Sequence, residues 1–388
     1  MVSDPVEENL GEAFRPWGTE GDFRTMSANP NFVPITPGTR FARSRPPAAP
    51  AAPAPETPVG RDMVWIEPGF FLRGSDRHYP EERPKRRVYV DGFWIDRSPV
   101  TNADYAAFAD STGYRTMAER MRRAEDFPGA PPEGQVAGSM VFFPTSRPVP
   151  LDQPHHWWLF VDGADWRHPA GPDSSIAGLE SHPVVHLVLA DVEAYCAWTG
   201  TGLATEEEWE YAARGGLGDS EFAWGDELEP GGRRMANIWQ DAFPISSKGR
   251  DGWPWTSPVG AYPANGFGLY DMIGNVWELT ADWWSIHPLG EAGKAFQAAE
   301  RRASAEPDDP LQIPRRVLKG GSHLCAPNHC RRYRPAARQP HSILASNSHV
   351  GLRCVVRPTV TGLKGEVRTP PGVSTLFPGR TVSNGSGT

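Results

Sequence analysis

Two cysteines, at positions 325 and 330 of this 388-residue chain, have types and spacing that could do chemistry. They lie in the run Gly320-Gly321-Ser322-His323-Leu324-Cys325-Ala326-Pro327-Asn328-His329-Cys330. The spacing is neither a Cys-x-x-Cys redox motif nor half of a four-ligand zinc site, and no second pair exists to complete one. Such a pair can be two buried structural thiols, a disulfide, or a holder for a soft ion of low coordination number. Cu(I) is the soft ion that thiolates favour. Its filled d shell tolerates two ligands in a line, which leaves a seat for a third sulfur from a substrate.

The remaining thiols are Cys196 and Cys354, so the chain holds four cysteines in all. That is too few for a disulfide scaffold. Two loops carry hard oxygen donors. Asn237-Ile238 with Asp251-Gly252-Trp253 brackets one, and Asp271 to Glu278 forms the other. Backbone carbonyls serve calcium as well as carboxylates do. Spacing alone leaves both loops open to an ordinary capping role. His155-His156 beside Trp157-Trp158 read as loop histidines, solvated or flanking a substrate. His182 and His186 are four apart, but Pro183 and the β-branched Val184-Val185 make the segment extended, so the two do not share a helical face.

The elements that must position these residues are short. With 40 Gly and 41 Pro, long helices are few, while 15 Trp promise a substantial core. Strand-like runs are expected from Asp62-Met63-Val64-Trp65-Ile66 through Phe70-Phe71-Leu72, Arg87-Val88-Tyr89-Val90 and Phe93-Trp94-Ile95. Thr101 caps an expected helix over 102–112, with Tyr105, Phe108 and Ala109 as its apolar stripe. A second helix is expected over 190–199. A third, over 206–214, opens with the capping box of Thr205 and Glu208 and stops at Gly215-Gly216. Loops and short strands are expected from there to about 358.

Eleven of the 41 prolines fall before residue 61, and an Ala/Pro alternation fills 46–58, so 1–60 reads as a disordered tail. Residues 361–388, rich in Gly, Pro, Ser and Thr, read as a second one. One domain over 61–360 remains. The net charge of −8 and the lack of a basic block argue against a nucleic-acid partner. No run approaches the roughly 20 apolar residues that span a bilayer. Asp4, Glu7 and Glu8 without an apolar stretch do not resemble a signal peptide, so a cytoplasmic monomer is expected.

Beyond these separate features, the run from Arg316 to Cys354 resembles the C-terminal signature of the formylglycine-generating enzymes. Gly320-Gly321-Ser322, Cys325, Cys330, Arg332-Tyr333-Arg334, Ala336-Ala337-Arg338 and Gly351-Leu352-Arg353-Cys354 carry it. Upstream blocks agree: Gly163-Ala164-Asp165-Trp166-Arg167-His168-Pro169, the run Thr205 to Gly216, Ala236-Asn237-Ile238-Trp239-Gln240, and Gly268 to Glu278. The resemblance covers about 62 to 358. It implies an α+β, loop-rich variant of the C-type-lectin-like fold.

It also implies an oxidase that turns the cysteine of a Cys-x-Pro-x-Arg segment in an unfolded or nascent sulfatase into formylglycine, using O2 and an external reductant. Cys325 and Cys330 would hold Cu(I). Ser322 and Trp277 match positions lining the oxygen pocket. Trp157, His329 and Arg338 match positions facing the substrate peptide. Structural calcium would bind Asn237, Ile238, Asp251 and Trp253 in one loop, and Asp271, Gly274, Val276 and Glu278 in the other. Cys196 and Cys354 match a disulfide of some members. The sequence departs from the pattern where a family tyrosine is His329, and where a further disulfide is replaced by Ala213 and Pro335.

Two other function classes stand beside this one. A non-catalytic lectin-like binding module would not need Cys325 and Cys330. A sulfoxide synthase would need a histidine-held iron in a separate helical domain, and no His-x-x-x-His-x-Glu set occurs. No Gly-x-Gly-x-x-Gly fingerprint calls for a nicotinamide or flavin.

Overall fold

The computed structural model describes residues 60–120, 136–245, 249, 251–286 and 301–358. The tails expected at 1–60 and 361–388 lie outside them, Gly60 excepted. All described residues but Pro358 belong to one compact unit.

Among the described residues, local chemistry sets the α-helices. In α1 (Asn102–Thr112) the Thr101 hydroxyl accepts from the Asp104 N–H, Asp104 accepts from the Thr101 N–H, and Gly113 ends the helix in a left-handed conformation. α2 (Leu189–Thr199) opens with Asp191 accepting from the Val188 N–H at 3.0 Å. α3 (Glu206–Arg214) carries the Thr205/Glu208 capping box and stops at Gly215. Each helix lies within one residue of its expected span.

The first sheet joins β1 (Met63–Ile66), β4 (Phe93–Asp96), β12 (Cys354–Val356) and β7 (Gly202–Leu203) in that order. The second joins β10 (Gln339–Ser342), β9 (Arg315–Lys319), β8 (Trp277–Trp283) and β11 (Val350–Gly351). Two hairpin-like pairs, β2 (Gly69–Arg73) with β3 (Arg86–Val90) and β5 (Gly138–Phe142) with β6 (Trp158–Asp162), flank them. Short strands, short helices and long connections make the fold α+β and loop-rich, as expected. The segment with His182 and His186 is extended, with the Val184 N–H bonded to the Val100 carbonyl.

The main core is aromatic. Tyr105 stacks near Tyr195 at 5.6 Å and meets Trp166 edge-on at 5.1 Å, geometries that add about 0.5–1.5 kcal/mol each beyond the area buried. Beneath the second sheet lies a buried ionic network. Glu206 holds Arg338 at 2.7 Å and Arg73 at 2.9 Å, while Glu210 holds Arg214 at 2.7 Å and Lys319 at 3.2 Å. Burying these charges is tolerable only because each has its partner. Lys319 ends β9, so the network anchors the strand that delivers the cysteine run.

Candidate active site

β9 leads straight into Gly320 and Gly321, both at positive φ. A Cβ on Gly321 would lie 2.9 Å from the Tyr333 Cα, so only glycine lets the chain cross its own return here. The turn is then pinned from outside. The Asn275 carbonyl accepts from the backbone N–H of His323 at 2.9 Å and lies 2.8 Å from the His323 ring nitrogen Nδ1, and the Cys325 carbonyl accepts from the Trp239 N–H at 3.0 Å. Inside the turn, the Cys330 N–H donates to the Ala326 carbonyl at 3.1 Å, which folds the second cysteine back onto the first.

The two sulfurs end up 3.3 Å apart, with the Cys325 S–H donating to Cys330. Cys325 is buried and Cys330 reaches partly to the surface. The Cys325 hydrogen bond, helped by the Arg332 guanidinium, pulls Cys330 down to about 6. Burial and the same bond push Cys325 well above the ordinary thiol range. The pair therefore keeps one proton and one negative charge near neutral pH. Arg332 is itself held by Glu81 at 2.8 Å and lies 3.8 Å over the Tyr79 ring. Next to it, Arg334 forms a bidentate pair with Glu82 at 2.5 and 2.9 Å, both side chains buried.

Ser322 and Trp277 are both buried. The Ser322 N–H donates to the Cys325 sulfur at 3.4 Å, and its hydroxyl lies 3.1 Å from His349 Nδ1. Trp277 begins β8 and donates its N–H to the His349 carbonyl. The first cysteine, the serine and a histidine from a distant part of the chain are thus linked by hydrogen bonds, and the Trp277 backbone joins them through the His349 carbonyl.

The three expected peptide-facing residues divide. His329 is exposed and stacks on Phe243 at 4.4 Å. Trp157 is only 2% exposed, packed edge-on against Phe243 and His329, so it forms the base under His329 rather than an open wall. Arg338 too is 2% exposed, and its guanidinium donates to both oxygens of Glu206 and to the carbonyls of Glu81 and Ser285. Its charge is taken up by these internal partners.

The two oxygen-rich loops lie close together. Asn275 donates its N–H to the Asn237 carbonyl, and Gly274 packs so tightly on the Asn237 backbone that a side chain there would collide with it. In the second loop, Asp271 sits at positive φ, and burial pushes it up to about 6. One Asp271 oxygen accepts from the Gly260 N–H at 2.7 Å, while the other is buried without a partner. An orphaned buried carboxylate oxygen fits a hard cation. Glu278, at the end of that loop, is engaged by protein groups: Arg353 binds both of its oxygens and the Trp209 indole N–H donates to one at 2.6 Å. Asp251 accepts from the Tyr262 hydroxyl and the Trp253 N–H.

Among the described residues, no three His, Cys, Asp or Glu side chains converge as a metal site. The cysteine pair is a two-membered soft donor set with one thiol poised as thiolate, which fits a soft ion of low coordination number. Cys196 and Cys354 are free buried thiols 3.9 Å apart. Sequence reasoning missed His349, Phe243 and the Glu81-Glu82 pair. No local spacing marks them, because each reaches the site only through tertiary structure.

Fold and thiol site together define a member of the sulfatase-modifying factor enzyme 1-like domain family, whose model matches residues 48–358, and the chain belongs to that family. The formylglycine-generating enzyme of Mycobacterium tuberculosis is 49% identical over 298 residues, covering 76% of this chain and 98% of that protein. The formylglycine-generating enzyme of Mus musculus is 44% identical over 295 residues, covering 75% of this chain and 74% of that protein. A Bos taurus protein named inactive C-alpha-formylglycine-generating enzyme 2 is 37% identical over 302 residues, covering 76% of this chain and 87% of that one.

Proposed function

We propose that this protein oxidises the cysteine of a Cys-x-Pro-x-Arg segment in an unfolded sulfatase to formylglycine, with O2 as oxidant and Cu(I) held by Cys325 and Cys330. The observation that carries the reading is the thiol pair: two sulfurs 3.3 Å apart, one buried and one reaching the surface. The names of the 49% and 44% identical relatives support formylglycine formation as the outcome.

The bound copper would supply a soft centre that takes up the client thiolate and engages O2. The chain's own residues do the rest. Cys325 and Cys330 hold the ion with one charge already unmasked. Arg332, locked by Glu81 and Tyr79, keeps positive charge beside Cys330. Ser322 stands on the buried side, its N–H on the Cys325 sulfur, and its hydroxyl is the nearby donor for reduced oxygen, with Trp277 buried at the start of β8. His329, exposed and stacked on the buried Phe243, offers a flat face next to Cys330 in the chain for an extended peptide. The client thiol, one O2, two electrons and two protons give the aldehyde, one hydrogen sulfide and one water, so atoms and charge balance. The C–S bond breaks, the β-carbon is oxidised, and a thiol reductant supplies the two added electrons. Calcium at the Asp271 loop would neutralise the unpartnered carboxylate oxygen and order the segment that carries Asn275 and Trp277.

The test is incubation of Cu(I)-loaded protein with a Cys-x-Pro-x-Arg peptide and a thiol reductant under air. A peptide mass loss of about 18 Da is expected, with one Cu(I) bound per chain. Cys325→Ala and Cys330→Ala should each abolish turnover and copper binding while the protein stays folded. The 37% identity to a protein named as inactive favours a second reading, a binding module. Peptide binding without mass loss would select it, whereas unchanged turnover in either variant would overturn the roles given to Cys325 and Cys330.

A further inference from the structure

We propose that His349 is a positioning residue of the oxidation site, which sets the direction in which the Ser322 hydroxyl presents its hydrogen. The inference rests on the cysteine-oxidising reading above.

Ser322 Oγ has two neighbours with opposite demands. The Leu324 N–H donates to it at 3.2 Å, and His349 Nδ1 lies 3.1 Å away. A hydroxyl has one hydrogen and two lone pairs. With Nδ1 bare, Ser322 donates to the imidazole and has no hydrogen left for an oxygen atom at the cysteine pair. With Nδ1 protonated and Nε2 bare, the imidazole and the Leu324 N–H fill both lone pairs, and the hydroxyl hydrogen turns away from the ring. The imidazole tautomer thus decides whether Ser322 serves as a donor, and Ser322 already touches the Cys325 sulfur through its own N–H.

The fold holds this histidine in place. β11 pairs in parallel with β8, Val350 opposite Trp277, and the Trp277 N–H donates to the His349 carbonyl. Asn347 accepts from the His349 N–H at 3.2 Å, and the ring lies edge-on to Trp158 at 4.8 Å. The titratable groups facing it are three other imidazoles, His323, His341 and His186. Burial and these neighbours keep His349 well below the usual histidine range, so it acts as a neutral ring in which the tautomer is the variable.

Two measurements test this. In metal-free protein with 15N-labelled histidine, Ser322→Ala should shift the His349 Nδ1 resonance, and an unmoved resonance would overturn the contact whatever the enzyme does. In the peptide assay, His349→Leu should lower kcat about tenfold or more with KM within about twofold. His349→Asn, whose amide can replace Nδ1, should recover most of that loss. The double variant His349→Leu/Ser322→Ala should be no slower than Ser322→Ala alone. Wild-type kcat in His349→Leu, or losses that multiply in the double variant, would overturn the role. A wild type that turns over no peptide fails the oxidase reading instead, and the resonance then decides the His349 contact alone.

Discussion

Removing one member of the Arg334–Glu82 pair tests whether buried charge, rather than the turn itself, holds the chain after Cys330. Both side chains are buried and bonded twice, and Arg334 Nε also donates to the Arg331 carbonyl, next to Arg332. Glu82→Leu leaves a guanidinium in the interior with no counter-charge, and Arg334→Met leaves a bare carboxylate. Breaking one side of such a pair costs about 3–5 kcal/mol. For a domain of this size each kcal/mol lowers Tm by about 2 °C, so each single variant should melt about 6–10 °C below the wild type. The double variant replaces both charges with apolar volume and should recover to within about 2 kcal/mol of the wild type. Thermal melts followed by circular dichroism, with a urea series for the free energies, supply all four corners of the cycle. Single-variant shifts under about 2 °C, or a double variant that melts at the sum of the two losses, would refute the reasoning. If it holds, peptide turnover should fall in the singles and return in the double, because the pair fixes the backbone that carries Arg332.

Acid should weaken the fold through His186. Its ring lies 2.8 Å from the Ser139 hydroxyl and 2.9 Å from the Pro169 carbonyl, and burial pushes it down to about 4. The unfolded chain takes up this proton first, near 6.5, so stability is full above that pH and falls as pH drops through 4, by about 3 kcal/mol. Urea titrations at pH 7.5, 5.5 and 4.5 check it, and equal midpoints at all three would count against it. Calcium should raise the wild-type Tm by about 5 °C at a hundredfold excess over its Kd, and Asp271→Asn should remove that response. A calcium shift of the same size in the variant would show that the ion binds elsewhere.

Local chemistry was legible. The Thr205/Glu208 box and Gly215 bounded α3 to the residue, since caps and stops act within one turn of the chain. The cysteine pair was legible for the same reason: two sulfurs five positions apart with a proline between them carry their own geometry. The burial of Trp157 and Arg338 was not legible, because their motif positions show residue type and nothing of what packs around them. Arg338 is turned inward by Glu206, a partner 132 residues away in the chain. Glu278 likewise finds Arg353 at a separation of 75. Long-range ion pairs of this kind leave no periodic signature, so a charged residue bound for the core looks like one bound for a ligand.

The same distinction separates what the thiols are from what they can do. Their presence and spacing are facts about a short run of sequence. Their protonation is not: Cys330 is drawn down by Cys325 and by Arg332, and Arg332 is held in turn by Tyr79 and Glu81 from the other end of the domain. Ser322 stands next to Cys325 in the turn, yet the orientation of its hydroxyl depends on His349, which arrives through a two-residue strand. A variant that keeps Gly320 to Cys330 intact but loosens either distant support should therefore keep both thiols and lose its rate.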